Sequence, residues 1–296
     1  MEFTEPVMRP PQEVSSVILQ ATQGCTHNDC HFCYVTRGYP FMAIKPEKLE
    51  QDAMRLKRFF APNTRIYLAG ANPFVLPTRI LKEYVAALRK VFPEFSCLAM
   101  QSRIDDIARK TDTELTELNS LGLNHLYIGT ENGHEDTLRL MNKGHTAKDT
   151  VEQLRRLDKA GIKYTNFYVI GLGGKGMGQA CALATAKMFN QVHPIRITTT
   201  GLTMFKNAPV SEMAKRGEFQ EASEREKIEE LRTFLANLEI DVFYDGIHYL
   251  NPVHYRFQTG DKTTKEQVLA DIDEILESYS DADLELMVNR RQMVSL

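Results

Sequence analysis

The 296-residue sequence has no tryptophan, no long basic run, and no stretch approaching the roughly 20 apolar residues of a bilayer-spanning helix. The missing tryptophan says nothing about function. The missing basic run disfavours an electrostatic grip on nucleic acid, since 39 acidic residues against 36 basic ones leave a net charge of −3. Without a long apolar stretch, no membrane partner is expected. The N-terminus, MEFTEPVMRPPQEV, carries three prolines and three glutamates and lacks the apolar core of a secretion signal. A soluble cytoplasmic protein is therefore expected for a bacterial or archaeal host. Cysteine is scarce, and its odd count of five argues against a disulfide framework.

The composition, 43% apolar and 25% charged, is that of a globular protein with a large core. At about 150 residues per domain, the length allows one large domain or two small ones. Six short runs rich in β-branched and aromatic residues read as strands: 16–21, 65–69, 95–100, 124–130, 163–171 and 195–201. Their near-continuous hydrophobicity suits a parallel sheet covered on both faces. Helical patterns lie between them at 47–60, 78–91, 112–121, 147–161 and 178–190. Thr146 and Asp149 resemble a capping box at the start of the fourth helix, and Gly161 suits its left-handed end. The spacing of about 36 residues per unit fits βα repeats, and six units leave a barrel open where about 250 residues would close it. The expected fold is thus α/β: a partial (β/α)6 TIM-like barrel over 12–205, with doubly wound order as the other arrangement. The alternation stops near 205, so 206–296 reads as a mainly helical extension with helices at 218–238 and 264–278. The charge run EREKIEE at 224–230 reads as a solvated helix face.

Three of the cysteines fall in the loop after the first strand, GCTHNDCHFCYV at 24–35, with the spacing C-x4-C-x2-C at Cys25, Cys30 and Cys33. Four readings are open. Free structural thiols fit poorly with so dense a set in a polar loop. A structural zinc completed by His27 or His31 usually supports a module without its own core. A plant-type ferredoxin centre shares the spacing but needs a fourth cysteine, and Cys97 lies 64 positions beyond Cys33. A [4Fe–4S] cluster with three protein ligands leaves one iron open at the C-terminal end of a barrel strand, where this architecture builds chemistry.

With this loop and the motifs downstream of it, the chain resembles the radical S-adenosylmethionine (SAM) superfamily, and looks closest to a bacterial Fe–S oxidoreductase branch with a GC-x-HN-x-C-x-FC loop. The resemblance runs from residue 9 to about 205 and more loosely to about 280. It implies that Cys25, Cys30 and Cys33 hold a [4Fe–4S] cluster and that SAM chelates the fourth iron. It also implies that an electron from the cluster cleaves SAM to a 5′-deoxyadenosyl radical, which abstracts hydrogen from a substrate. A low-potential electron donor of the flavodoxin or ferredoxin type would be required. A redox-sensing or electron-transferring Fe–S or zinc protein without catalysis is the alternative. Cys97 and Cys181 are 84 residues apart and are too few for an auxiliary cluster, which disfavours methylthiotransferases and peptide-maturing relatives.

The family pattern assigns further positions. Phe32 stands where an aromatic meets the adenine, or is a core phenylalanine. The segment AGANP at 69–73 replaces the family's Gly-Gly-Glu. Gly70 permits close backbone approach, while Asn72 takes the place of the acid. IGTENG at 128–133 is similar to IGLESG and offers Thr130 and Glu131; Glu131 would hold the SAM amino group or serve as a helix N-terminal charge. Lys143 matches a position directed at the SAM carboxylate, or is a surface lysine. YVIGLGGKGMG at 168–178 resembles the G-x-I-x-G-x-x-E region beneath the adenine and adds Gly171. A phosphate loop is disfavoured there, because Met177 occupies its lysine position, and the dinucleotide fingerprint lacks an acid near 190. His134, His145 and His193 show no ligand-like spacing. Segments 36–45 and 241–260 are candidate covers for a substrate of unidentified class.

Overall fold

The computed structural model describes residues 3–290 and 293, which divide into two compact units. No described helix is long and apolar enough to cross a membrane.

The first unit comprises 1–28, 35–129 and 153–164. Strand β1 (Val17–Gln20) is followed by a short antiparallel pair, β2 (Thr22–Gln23) and β3 (Met42–Ala43). Helix α1 (Pro46–Leu56) leads to β4 (Arg65–Ala69), α2 (Thr78–Val91) and β5 (Cys97–Ser102). Helices α3 (Ile104–Ala108) and α4 (Asp112–Ser120) precede β6 (Leu123–Glu131), whose last two residues belong to the second unit. The strands run in the order β1-β4-β5-β6, all parallel. Their burial is nearly continuous, as the apolar runs implied, because both faces are covered. In α2, Leu81, Tyr84, Val85, Leu88 and Val91 recur at helical spacing and form the buried stripe.

The second unit comprises 29–34, 130–152 and 165–296. It contains α5 (Glu135–Leu140), most of β7 (Lys163–Ile170), α7 (Gly178–Phe189) and β8 (Arg196–Gly201). Helix α6 (Ala147–Ala160) begins in this unit. Its start is capped as expected: the Thr146 hydroxyl accepts from the Asp149 N–H, and the Asp149 carboxylate accepts from the Thr146 N–H. Gly161 closes the helix at φ +74°.

The C-terminal part is mainly helical: α8 (Pro209–Lys215), α9 (Glu224–Asn237), α10 (Lys262–Ser278) and α11 (Asp281–Met287). It also contributes two strands the sequence did not reveal. β9 (Phe243–Asp245) pairs parallel with β8, and β10 (Arg256–Gln258) pairs antiparallel with β9. Three residues are too few to show alternation. A second correction concerns 224–230. That run is not a solvated face: Glu224, Lys227 and Glu230 are each 2% exposed or less. Their three-residue spacing puts them on one side of α9, where Lys227 bonds Glu221 and Glu224, and Arg290 bonds Glu224. Burial of Glu224 and Lys227 is tolerated because they are paired, whereas Glu230 accepts from the Tyr168 hydroxyl and the Gly171 N–H.

Candidate functional site

Cys25 follows β2 in the first unit and is half-buried. Before it, Gly24 adopts φ +69°, and a Cβ there would stand 2.7 Å from the carbonyl oxygens of Tyr39 and Pro40. Its N–H donates to the buried Glu5 carboxylate at 2.8 Å. Only glycine lets this backbone fold so tightly behind the cysteine. Beyond Cys25, Asn28 lies in the left-handed region at φ +46° and its side-chain oxygen accepts from Thr36.

Asn72, at the end of β4, reaches this loop. Its Oδ1 accepts from the Thr26 N–H at 3.3 Å, and its Nδ2 donates to Thr26 Oγ1 at 2.8 Å and to both carboxylate oxygens of Asp106 at 3.1 Å. Asn72 and Asp106 are fully buried. Burial pushes the Asp106 carboxyl up to about 6. The departure from an acid at position 72 thus has a physical reason, since a second carboxylate there would face Asp106 with no donor between them. Asp106 escaped the sequence reading because nothing in RIDD marks it as the partner of a residue 34 positions earlier. Gly70 is set by packing: a Cβ would stand 2.1 Å from Thr22 Oγ1.

Cys30, 7% exposed, and the half-buried Cys33 belong to the second unit. The Cys33 N–H donates to the Cys30 carbonyl at 3.2 Å, so the C-x2-C spacing forms a turn. The segment 29–34 is fastened to 140–143. The His31 N–H donates to the Met141 carbonyl at 2.9 Å, and His31 Nδ1 lies 2.6 Å from the Leu140 carbonyl, which only accepts, so that nitrogen carries the proton. Asn142, at φ +48°, donates to the Asp29 carboxylate at 2.7 Å.

Lys143 is the next residue. It is buried and donates to Glu131 Oε1 at 3.0 Å, while its ammonium lies 5.8 Å from the centre of the Phe32 ring. Three positions singled out separately, Phe32, Glu131 and Lys143, are therefore brought together. Glu131 holds φ +64°, unusual for a residue with a side chain. Among the described residues only Asn28, Glu131 and Asn142 share that sign without being glycine, and all three lie in the cysteine loop or beside this pair. Such conformations cluster where function constrains the backbone. Phe32 also packs on a core cluster that includes Met141 and Val210, so its core and cofactor readings are compatible. Thr130 is fully buried and donates to the Phe167 carbonyl at 2.8 Å, which binds it to β7.

Gly171 opens the turn between β7 and α7. Its N–H donates to Glu230 at 2.9 Å, the Lys175 N–H to the Gln220 carbonyl at 2.8 Å, and the Gly176 N–H to Glu226 at 2.7 Å. These are donors a phosphate would use, and carboxylate and carbonyl oxygens engage them instead. Burial pushes the Glu230 carboxyl up to about 7. Glu226 and Glu230 were hidden by the reading of their run as solvated; their four-residue spacing on one helix face was the available signal.

The remaining cysteines serve packing. Cys97 accepts from Arg65 at 2.8 Å, and Cys181 lies 3.3 Å from the Thr137 hydroxyl. Burial pushes both thiols up to about 11, so they stay protonated at neutral pH. The residues fit the cofactors inferred from the sequence. All five cysteines are thiols, three of them closely spaced in one loop, and a buried carboxylate and ammonium stand beside an aromatic ring. Among the described residues, no three His, Cys, Asp or Glu side chains form a ready site for a single metal ion.

Residues 19–177 match the family model of the Radical SAM superfamily. The chain is 23% identical over 242 residues to an uncharacterized protein of Methanocaldococcus jannaschii, covering 77% of this chain and 73% of that one. Among solved structures it is similar to coproporphyrinogen III oxidase from Escherichia coli, a radical SAM enzyme, with TM-score 0.56 and 18% identity over 75% of this chain and 52% of that one. It is also similar to the cobalamin-dependent radical enzyme OxsB with S-adenosylmethionine bound, with TM-score 0.55 and 17% identity over 69% of this chain and 35% of that one. At these identities the two structures speak for the fold, a TIM-barrel-like α/β architecture.

Proposed function

The chain belongs to the radical SAM superfamily, and from that premise we propose that it is an enzyme whose reaction begins with reductive cleavage of S-adenosylmethionine at the cysteine loop. The family's cofactors, a [4Fe–4S] cluster and SAM, are those of this chain. When bound, they supply one chemistry: an electron from the reduced cluster splits the sulfonium C–S bond, giving methionine and a 5′-deoxyadenosyl radical that takes hydrogen from the substrate.

Cys25, Cys30 and Cys33 hold the cluster. Four residues separate the first two and two separate the last pair, so the chain is short enough for all three thiolates to reach it. Lys143 takes the SAM carboxylate, Glu131 the amino group, and Phe32 offers its ring to the adenine. Gly70 and Gly171 admit the close packing of Thr22 and Lys227 that shapes their turns, Asn72 steadies the loop through Thr26, and Thr130 is anchored on the Phe167 carbonyl. The observation carrying this reading is the fastening of 29–34 to 140–143. Through it, the half-loop bearing Cys30 and Cys33 shares one local structure with the buried Lys143–Glu131 pair. Those two opposite charges complement a zwitterionic amino acid, which an electron-transfer protein has no need to bind. The reductant is a low-potential donor of the flavodoxin or ferredoxin type, and the substrate is an unidentified molecule rather than nucleic acid or membrane. Residues 12–205 form the catalytic part and 206–296 the extension.

Anaerobic reconstitution tests the proposal. The protein is expected to take up about four irons per chain and, once reduced, to release 5′-deoxyadenosine from SAM even without substrate. C30A is expected to abolish that release. Stoichiometric zinc without SAM cleavage would establish the redox or zinc protein instead.

A further inference from the structure

The Gly-rich turn after β7 is held from outside its own repeat. Gly171, Lys175 and Gly176 donate their N–H groups to Glu230, Gln220 and Glu226. The approach is close at three of its glycines. A Cβ at Gly171 would stand 3.0 Å from Lys227 Cε, one at Gly174 would stand 2.6 Å from the Gln220 carbonyl oxygen, and one at Gly178 would stand 3.2 Å from Glu230 Cβ. Glu230 also accepts from the Tyr168 hydroxyl at 2.5 Å, so a single carboxylate ties the end of β7 to the residue that opens the loop. Glu226 is anchored in turn, since its other oxygen accepts from the Ser223 N–H at 2.8 Å. Gly171, Gly174 and Gly176 all have φ between +76° and +80°. A turn so rich in glycine has many conformations open to it, and its own sequence does not select one.

We propose that residues 219–230 position this turn for the adenosine of SAM, with Glu230 as the principal positioning residue, so that the C-terminal extension is a working part of the cofactor site. This rests on the radical SAM reading given above. Three anchored N–H groups leave the turn a single shape, and a preformed surface binds without a cost for ordering it. The same contacts remove the backbone donors that a phosphate needs, which directs the turn toward the uncharged nucleoside.

The test uses reconstituted holoprotein and reads SAM affinity by equilibrium dialysis, iron content, and amide exchange of the 171–176 peptide. Losing a buried hydrogen bond to a charged group, E230A is expected to weaken SAM binding by about tenfold or more. It should keep its iron and exchange the turn amides faster. In E230Q the amide oxygen still accepts from Gly171, and affinity should return to within about threefold of wild type. E226A frees the other end of the turn at a more exposed position and should weaken binding by about threefold to tenfold, which provides a test if E230A fails to fold. Wild-type affinity in E230A, or in E226A, overturns the proposal while leaving the radical SAM reading intact. Wild-type holoprotein that carries its cluster but takes up no SAM overturns both.

Discussion

Lys143 and Glu131 form an ion pair 3.0 Å long with side chains only 6% and 11% exposed. The two come from different sides of α5, twelve positions apart, and meet beside Phe32. Removing the lysine from a pair so enclosed is costly, because the Glu131 carboxylate stays buried without its ammonium.

K143M therefore should destabilise the protein by about 3 kcal/mol through the stranded Glu131. The double variant E131Q/K143M should recover much of that loss, because no charge remains unpaired. Urea denaturation of wild type, both single variants and the double variant measures the coupling. A double variant no more stable than K143M would show that the pair is not what stabilises this site. K143M should also weaken SAM binding by about tenfold without loss of iron.

Asn72 joins the cysteine loop to Asp106, and its amide suits two neighbours of opposite need. N72A leaves Asp106 without the amide donor that both its oxygens share and should cost about 2 kcal/mol. N72D, though isosteric and closer to the family's acid, should cost more at neutral pH, because it sets a second carboxylate against the first. Greater stability of N72D than N72A at pH 7.5 would contradict the arrangement. N72A should also reconstitute with less iron, since Thr26 next to Cys25 loses its anchor, whereas N72D keeps an acceptor for the Thr26 N–H.

Glu230 makes stability fall as pH rises. Burial raises its carboxyl from 4.5 to about 7, so the folded state holds the proton more tightly than the unfolded chain. The stabilisation is complete below pH 4.5 and is lost as the pH climbs through about 7. A shift of this size corresponds to about 3 kcal/mol. Wild type should thus lose thermal stability relative to E230Q between pH 5 and pH 8. A difference in melting temperature that stays flat over that range would place the titration elsewhere.

Much of the architecture was legible in the chain. The runs at 65–69 and 163–171 became β4 (Arg65–Ala69) and β7 (Lys163–Ile170), and the helix read at 78–91 is α2 (Thr78–Val91). Where the reading failed, the signal was short or ambiguous. β9 and β10 are too brief to alternate, and EREKIEE has the composition of a solvated face although Glu224, Lys227 and Glu230 are buried.

Local spacing, by itself, determined the alternation of strands and helices and the three-cysteine loop, because both depend on residues within a few positions of each other. Only the tertiary structure decided that Lys143 meets Glu131, that Asn72 faces Asp106, and that Glu230 holds Gly171. Each of those pairs joins residues 12 to 59 positions apart, and a carboxylate carries no mark of its partner until folding removes the water that would otherwise serve.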